Sequence, residues 1–356
     1  FIIWQGYHHY SEVERIASRL VQSFKIPLSI GNTLVHTTVS VGISLYPSDG
    51  QDVDELLKCA DIALYRAKEA GKNRYMRYDD SMRETVDRRM ELEKHLRTAL
   101  ENNELEVYYQ PQINILTGEL TGFEALLRWF SPQLGQVNTE QFVKVAEDTH
   151  LIMPIGDWVL HKACLFIKSL HERGHTSLTV SVNISMLQLL QDDFICGITT
   201  ALAEAKLEPQ YLELEITESI LMETYDAIRQ KLEWLEDRGV RIALDDFGRG
   251  YSSLAYLHQL PISTLKIDKT FADSITGHQQ DQSIMDGIVM IGRKMGLMVV
   301  AEGVETQTQL DYLIHNKCHI VQGFIFSPPL PANRAKQYAS DHASSIQLDL
   351  CETAAP

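Results

Sequence analysis

Residues 243–254 read ALDDFGRGYSSL, with Asp245 and Asp246 side by side at the end of an apolar run and a glycine-flanked loop behind them. Adjacent carboxylates repel. They are tolerated when fully solvated or when they share a cation. Other apolar runs close in the same way. One ends at Glu124, followed by Arg128. Others end at Asn183, at Glu215 with Glu218 just beyond, at Lys266 and Asp268, at Glu302 and at Gln322. A single polar residue at a strand end is more often a cap or a solvated turn. Recurrence over seven successive runs is a different signal. Four or five carboxylates converging on one mouth would repel by several kcal/mol at low effective dielectric, and one or two divalent cations would relieve this. Oxygen ligands with an asparagine amide suit Mg2+ or Mn2+ better than Zn2+. Two such ions suit phosphodiester hydrolysis, because they acidify an attacking water and stabilise charge on phosphorus.

The elements that must position these residues follow from periodicity. From residue 105 onward, apolar strands recur between helical stretches: LEVYYQ, LTGFEALL, LTVSVNI, YLELEIT, VRIALD, STLKID, LMVVAEGV and HIVQGF. Eight strands alternating with helices favour a closed parallel barrel with its chemistry at the C-terminal strand ends. Only NILTGE separates the first two, too short for a crossover helix, so these two should form an antiparallel hairpin. The expected fold is α/β, a (β/α)8 TIM-like barrel with one reversed strand over 104–338. A polar tail over 339–356 should be peripheral.

Upstream, residues 11–24 have helical periodicity, 33–47 read as one or two strands, and 52–73 form an amphipathic helix stopped at Gly71. With FIIWQG read as a further strand, residues 1–78 make part of a small α/β domain. Residues 79–103 are charge-dense and lack proline and glycine, which predicts a linker helix with i,i+4 ion pairs.

The chain has 356 residues and a net charge of −16, with 44% hydrophobic and 22% charged residues. The charge argues against binding a nucleic-acid polymer but not against a small anion neutralised by metal. No apolar run reaches the ~20 residues of a membrane span. Five widely spaced cysteines without a CxxC fit a reducing compartment. The expected location of this segment is therefore cytoplasmic, with tethering by an upstream membrane anchor left open. None of the thirteen histidines has HxH spacing, and HERGH (171–175), which fits HExxH, is assigned no ligand role. GRGYSS lacks the lysine of a P-loop. Tyr108, Tyr109, Tyr251 and Tyr256 read as packing residues.

Seven motifs, FEALLRW (123–129), SVNIS (181–185), ELEITES (213–219), ALDDFGRGYSSL, LKIDK (265–269), VAEGVET (300–306) and VQGFIFSPPLP (321–331), resemble in order those of EAL-domain cyclic di-GMP phosphodiesterases over roughly 85–338. VSVGISLYPSDG (39–50) and ADIALYRAKEAGKNRY (60–75) resemble the C-terminal half of a GGDEF domain. The GGDEF signature itself is not in this chain.

The resemblance implies hydrolysis of cyclic di-GMP to linear 5'-pGpG with Mg2+ or Mn2+, two ions being expected. Glu124, Asn183, Glu215, Asp245 and Asp246 would be metal ligands. Lys266 and Glu302 would hold or deprotonate the attacking water, with Glu124 counted beside them as catalytic. Gln110, Leu126, Arg128, Asp268 and Gln322 would line the substrate mouth, the Arg128 guanidinium suiting a phosphate oxygen. Glu218 would orient the loop 246–254, part of a homodimer interface. Arg249 stands where the family usually has threonine, which bears on loop mobility or dimer coupling.

Two alternatives accompany this reading. One is a non-catalytic cyclic di-GMP receptor signalling through dimer rearrangement. Such receptors usually lack several ligands, and here every one is present. The other is a bifunctional or GTP-regulated protein, which depends on whether the GGDEF signature upstream is intact.

Overall fold

The computed structural model describes residues 2–6, 9–31, 33–248, 259–275 and 279–349. The chain divides into two compact units, Phe1–Lys94 and His95–Pro356.

In the first unit, β1 (Leu28–Ile30) pairs antiparallel with β2 (Thr33–Val35), and β3 (Val41–Ile43) pairs parallel with β4 (Tyr75–Arg77). The connection from β3 to β4 carries the helix Val53–Glu69, which Asp52 caps by accepting from Glu55 N–H at 2.8 Å. The helix lies close on β3. A Cβ on Gly42 would stand 2.0 Å from the Ala60 carbonyl oxygen, so only glycine fits there. Residues 33–47 thus supply two short strands. Residues 2–6, expected as a strand, join no sheet among the described residues. The helix expected over 79–103 is Asp80–Ala99, and the boundary between the units falls inside it.

The second unit is a closed barrel of eight strands. These are β5 (Leu105–Asn114), β6 (Leu120–Ser131), β8 (Thr179–Asn183), β9 (Leu212–Thr217), β10 (Arg241–Phe247), β11 (Thr264–Ile267), β12 (Met298–Ala301) and β13 (Ile320–Val321). From β6 to β13 neighbours run parallel, and β5 closes the ring antiparallel to both β13 and β6. The reversed strand follows from the short β5–β6 connection, as expected. Two short strands lie outside the expectation: β7 (Gly135–Val137) extends β6, and β14 (Leu330–Pro331) extends β5.

The barrel wall is packed on both faces. Leu212, Leu214 and Ile216 of β9 face the surrounding helices, while Glu213 and Glu215 alternate with them toward the interior; all five are buried. Around β5 and β6, Tyr109 stacks on Phe166 with centroids 3.6 Å apart, and Trp129 meets Phe142 edge-on. The Trp129 Nε1–H donates to Glu104 at 2.9 Å, which satisfies the one polar group of a fully buried indole. Tyr109 is accordingly a packing residue on β5, and Tyr108 is half-buried beside Phe130; Tyr251 and Tyr256 lie outside the described residues. The expected tail is different in kind. Residues 332–349 form one helix, and Ala335 and Ala339 are buried because their small side chains let the helix lie close against its neighbours.

Candidate active site

The parallel strands deliver their polar residues to one end. On β6, β8 and β9, register aligns Glu124 with Ser181 and Glu213, and Asn183 with Glu215. These positions share a face because side chains alternate along each strand. Glu124, Glu215, Asp245 and Lys266 meet inside the barrel near the C-terminal ends, and Glu302 joins them from the residue after β12.

Lys266 is the hub. Its Nζ lies 2.5 Å from Glu302 Oε1, 2.7 Å from Glu215 Oε2, 3.5 Å from Asp245 Oδ1 and 3.7 Å from Glu124 Oε1. The lysine is 1% exposed. These are close charge contacts rather than aligned hydrogen bonds. The Nζ, both Glu215 carboxylate oxygens and Glu302 Oε1 are buried without a partner in hydrogen-bonding geometry. Glu124 is better served. Asn183 Nδ2 donates to its Oε1 at 2.8 Å, and Gln322 Nε2 donates to its Oε2. Gln322 also donates to Gln110 Oε1 at 3.1 Å and accepts from Gln112 Nε2 at 3.0 Å, which ties β5 to the end of β13 by amides.

The electrostatics follow from this inventory. Burial works against the Lys266 charge, but Asp245, Glu124, Glu215 and Glu302 outweigh it, and its pKa stands well above the usual lysine range. Burial disfavours charge on Glu124 too, yet Lys266, the Gln322 amide, the Glu215 carboxyl and the Asn183 amide hold its carboxyl below the usual range. Glu215 has no such donors. Burial, then the Glu124 charge, raise its pKa well above the ordinary value despite Lys266. Burial likewise pushes Glu302 up to about 8, against the pull of Lys266.

The remaining expected residues stand around this cluster. Asp245 Oδ1 accepts from the Asp246 N–H at 2.9 Å. Asp246 has a φ of 55°, and one extra residue on β10 opposes β11 between Leu244 and Phe247. This bulge breaks the alternation that would otherwise send the two neighbouring aspartates to opposite faces. Glu218, buried at the head of the helix Glu218–Glu236, accepts from Gly248 N–H at 3.0 Å. Asp268 is buried and caps the helix Lys269–Ser274, accepting from Thr270 N–H at 2.9 Å. Leu126 and Arg128 continue the β6 face outward from Glu124 and are half-buried. The Arg128 guanidinium donates to the Leu127 carbonyl at 2.8 Å and lies 6.0 Å from the Tyr108 ring centre. Arg249 and most of its loop lie outside the described residues.

Gln112 is the residue that sequence reasoning missed. It sits two positions beyond Gln110 in YYQPQ, so the strand period of two carries the signal that would have found it. A cavity of about 560 Å³ opens at the opposite, N-terminal end of the barrel, lined by Thr179, Glu213, Arg241, Thr264 and Met298 among others. It contains none of the expected site residues.

The donor set fits a hard dication. It is all oxygen, and a buried carboxylate, Glu215, lacks hydrogen-bond donors on both oxygens. Among the described residues no three acidic, histidine or cysteine side chains already surround a point at coordination distance; the middle of the carboxylates is held by the Lys266 ammonium.

Residues 93–329 match the EAL domain family model, and residues 1–74 match the model described as diguanylate cyclase, GGDEF domain. The chain belongs to the EAL domain family. The EAL barrel is preceded by part of a GGDEF domain. The chain is 40% identical over 328 residues to the cyclic di-GMP phosphodiesterase NbdA of Pseudomonas aeruginosa, covering 92% of this chain and 42% of the relative. It is 41% identical to the bifunctional diguanylate cyclase/cyclic di-GMP phosphodiesterase MucR of the same organism, covering 91% and 47%. It is 35% identical to the cyclic di-GMP phosphodiesterase PdeR of Escherichia coli, covering 93% and 50%. The chain thus spans about half the length of these curated relatives. Among solved structures, the EAL barrel resembles the PaMucR phosphodiesterase in complex with c-di-GMP. The TM-score is 0.67 and the identity 42%, over 69% of this chain and 99% of that one. No helix among the described residues is long and apolar enough to cross a membrane.

Proposed function

We propose that this chain hydrolyses cyclic di-GMP to linear 5'-pGpG in a metal-dependent reaction. The observation that carries the reading is the convergence of Glu124, Glu215, Asp245 and Glu302 within 3.7 Å of Lys266 at the C-terminal mouth of an EAL barrel. The names of NbdA, MucR and PdeR and the ligand of the PaMucR structure support the substrate.

Glu124, Asn183, Glu215, Asp245 and Asp246 are the residues that would hold one or two Mg2+ or Mn2+ ions. Such ions lower the pKa of water and neutralise charge on phosphorus when bound. The other steps belong to the chain. Lys266, held protonated by four carboxylates, positions the water with its N–H donors rather than taking its proton. Glu302, in contact with that ammonium, is placed to accept the proton in its ionised form, which its raised pKa of about 8 favours only at alkaline pH. Gln110, Gln322, Leu126, Arg128 and Asp268 line the mouth, where the Arg128 guanidinium meets a phosphate oxygen. Breaking one P–O3' bond puts the water oxygen on phosphorus and a proton on the 3'-oxygen, which leaves a 5'-phosphate on the linear product. Glu218 holds the loop after β10 through Gly248. That loop contributes to a homodimer contact, and GTP binds the GGDEF half if the upstream signature is intact. Five widely spaced cysteines without a CxxC support a cytoplasmic location for this segment.

The test is a chromatographic time course of the chain with cyclic di-GMP and Mg2+ or Mn2+, with EDTA as control. Appearance of pGpG only with metal is the expected result. Tight binding of cyclic di-GMP without product would replace hydrolysis by the receptor reading.

A further inference from the structure

The Glu215 carboxylate is 1% exposed and faces three other carboxyl groups. Asn183 and Gln322 donate to Glu124. For Glu215, neither oxygen has a partner in hydrogen-bonding geometry among the described residues, and the close positive charge among them is Lys266 Nζ at 2.7 Å. The same ammonium touches Glu302 at 2.5 Å and reaches Asp245 and Glu124. Solvent scarcely screens the Lys266–Glu215 contact, whose side chains are 1% and 0% exposed, so the attraction is strong there and the cluster depends on the cation at its centre. Lys266 is placed there by its strand: on β11 it pairs with Val300 of β12, and its side chain runs inside the barrel.

We propose that Lys266 is the built-in cation of the carboxylate cluster, and that a divalent ion binds Glu124, Glu215 and Asp245 in competition with its ammonium. The proposal rests on the reading of this cluster as a dication site. A dication entering among these groups meets a positive charge already in contact with its ligands. Loading therefore requires the ammonium to release Glu215, and the four-carbon stem of lysine allows that movement. The lysine then serves two tasks. It holds the cluster together when the dication is absent, and it weakens dication binding relative to a barrel without it.

Two variants test this, with metal affinity and melting temperature as readouts rather than turnover. Lys266→Met keeps the volume of the stem and removes the charge; Lys266→Arg keeps the charge. Free Mn2+ is followed by electron paramagnetic resonance, and unfolding is followed in EDTA and in saturating Mn2+. Lys266→Met is expected to melt roughly 5–10 °C lower than wild type in EDTA, because a buried carboxylate loses its partner. It should recover in Mn2+ and bind Mn2+ at least about tenfold more tightly. Lys266→Arg should melt near wild type in EDTA and bind Mn2+ no more tightly. If Lys266→Met folds only with Mn2+, unfolding on addition of chelator to the purified protein gives the same support. Equal melting in EDTA together with equal or weaker Mn2+ affinity for Lys266→Met overturns the inference while leaving the metal site intact. Failure of wild type and both variants to bind Mn2+ overturns the metal reading as well.

Discussion

Glu218 Oε2 accepts a hydrogen bond from the backbone N–H of Gly248 across 3.0 Å, joining the start of one helix to the loop that leaves β10. The bond links the β9 end of the site to the chain segment that follows Asp245 and Asp246. Hydrogen bonds to charged groups contribute about 1.5–3 kcal/mol. Glu218→Ala should therefore lower kcat by roughly 10–100-fold, while Glu218→Gln, which keeps an acceptor oxygen, should lose less. Steady-state kinetics alongside melting curves would check this. A matching fall in melting temperature, with kcat per folded molecule unchanged, would count against a positioning role.

Glu124 accepts from both Asn183 and Gln322 and lies 3.7 Å from Lys266. Glu124→Ala removes a carboxylate and leaves two amide donors without their acceptor. Activity should fall by more than the roughly 10–100-fold that loss of an outer-shell partner brings. Stability should change by about 1–3 kcal/mol. Full hydrolysis by this variant would sink the site assignment.

Removing divalent metal should abolish pGpG formation reversibly. Adding Mn2+ at about a hundredfold over its Kd should stabilise the chain by about 2–3 kcal/mol, because only the folded barrel gathers the ligands. Differential scanning calorimetry in EDTA and in graded Mn2+ measures both the effect and its saturation.

Gly323 follows Gln322 directly, and a Cβ there would lie 2.0 Å from the Val304 carbonyl oxygen. The same turn carries Ser327, whose carbonyl accepts from Gln110 at 3.1 Å. Gly323→Ala must push the backbone apart and should cost about 1–3 kcal/mol, with activity falling because Gln322 and Gln110 shift together. Unchanged melting and turnover would show that the turn relaxes freely.

Burial pushes the thiols of Cys164 and Cys318 up to about 12, whereas Cys196 is exposed. The thiolate is the reacting form, and raising the pKa removes it at neutral pH. Native labelling at pH 8 followed by peptide mapping should modify Cys196 well before Cys164 or Cys318. Equal rates would contradict the packing around the buried pair.

The sequence by itself determined a good deal. The β5–β6 connection is too short for a helix, so the reversed strand was legible from length alone. Polar residues that close successive apolar runs marked Glu124, Asn183, Glu215, Asp245, Lys266, Glu302 and Gln322, because in a parallel barrel all strand ends of one polarity share a mouth. Other features needed the tertiary structure. The sequence places Asp245 and Asp246 on opposite sides of a regular strand, and only the β10 bulge with the left-handed Asp246 undoes that alternation. Gln112 became part of the site only when β5 and β13 were brought side by side. Lys266 read equally well as holding the attacking water or deprotonating it. Its contact with four carboxylates from different strands decided its charge, since electrostatic energy depends on distances through space that spacing along the chain does not encode.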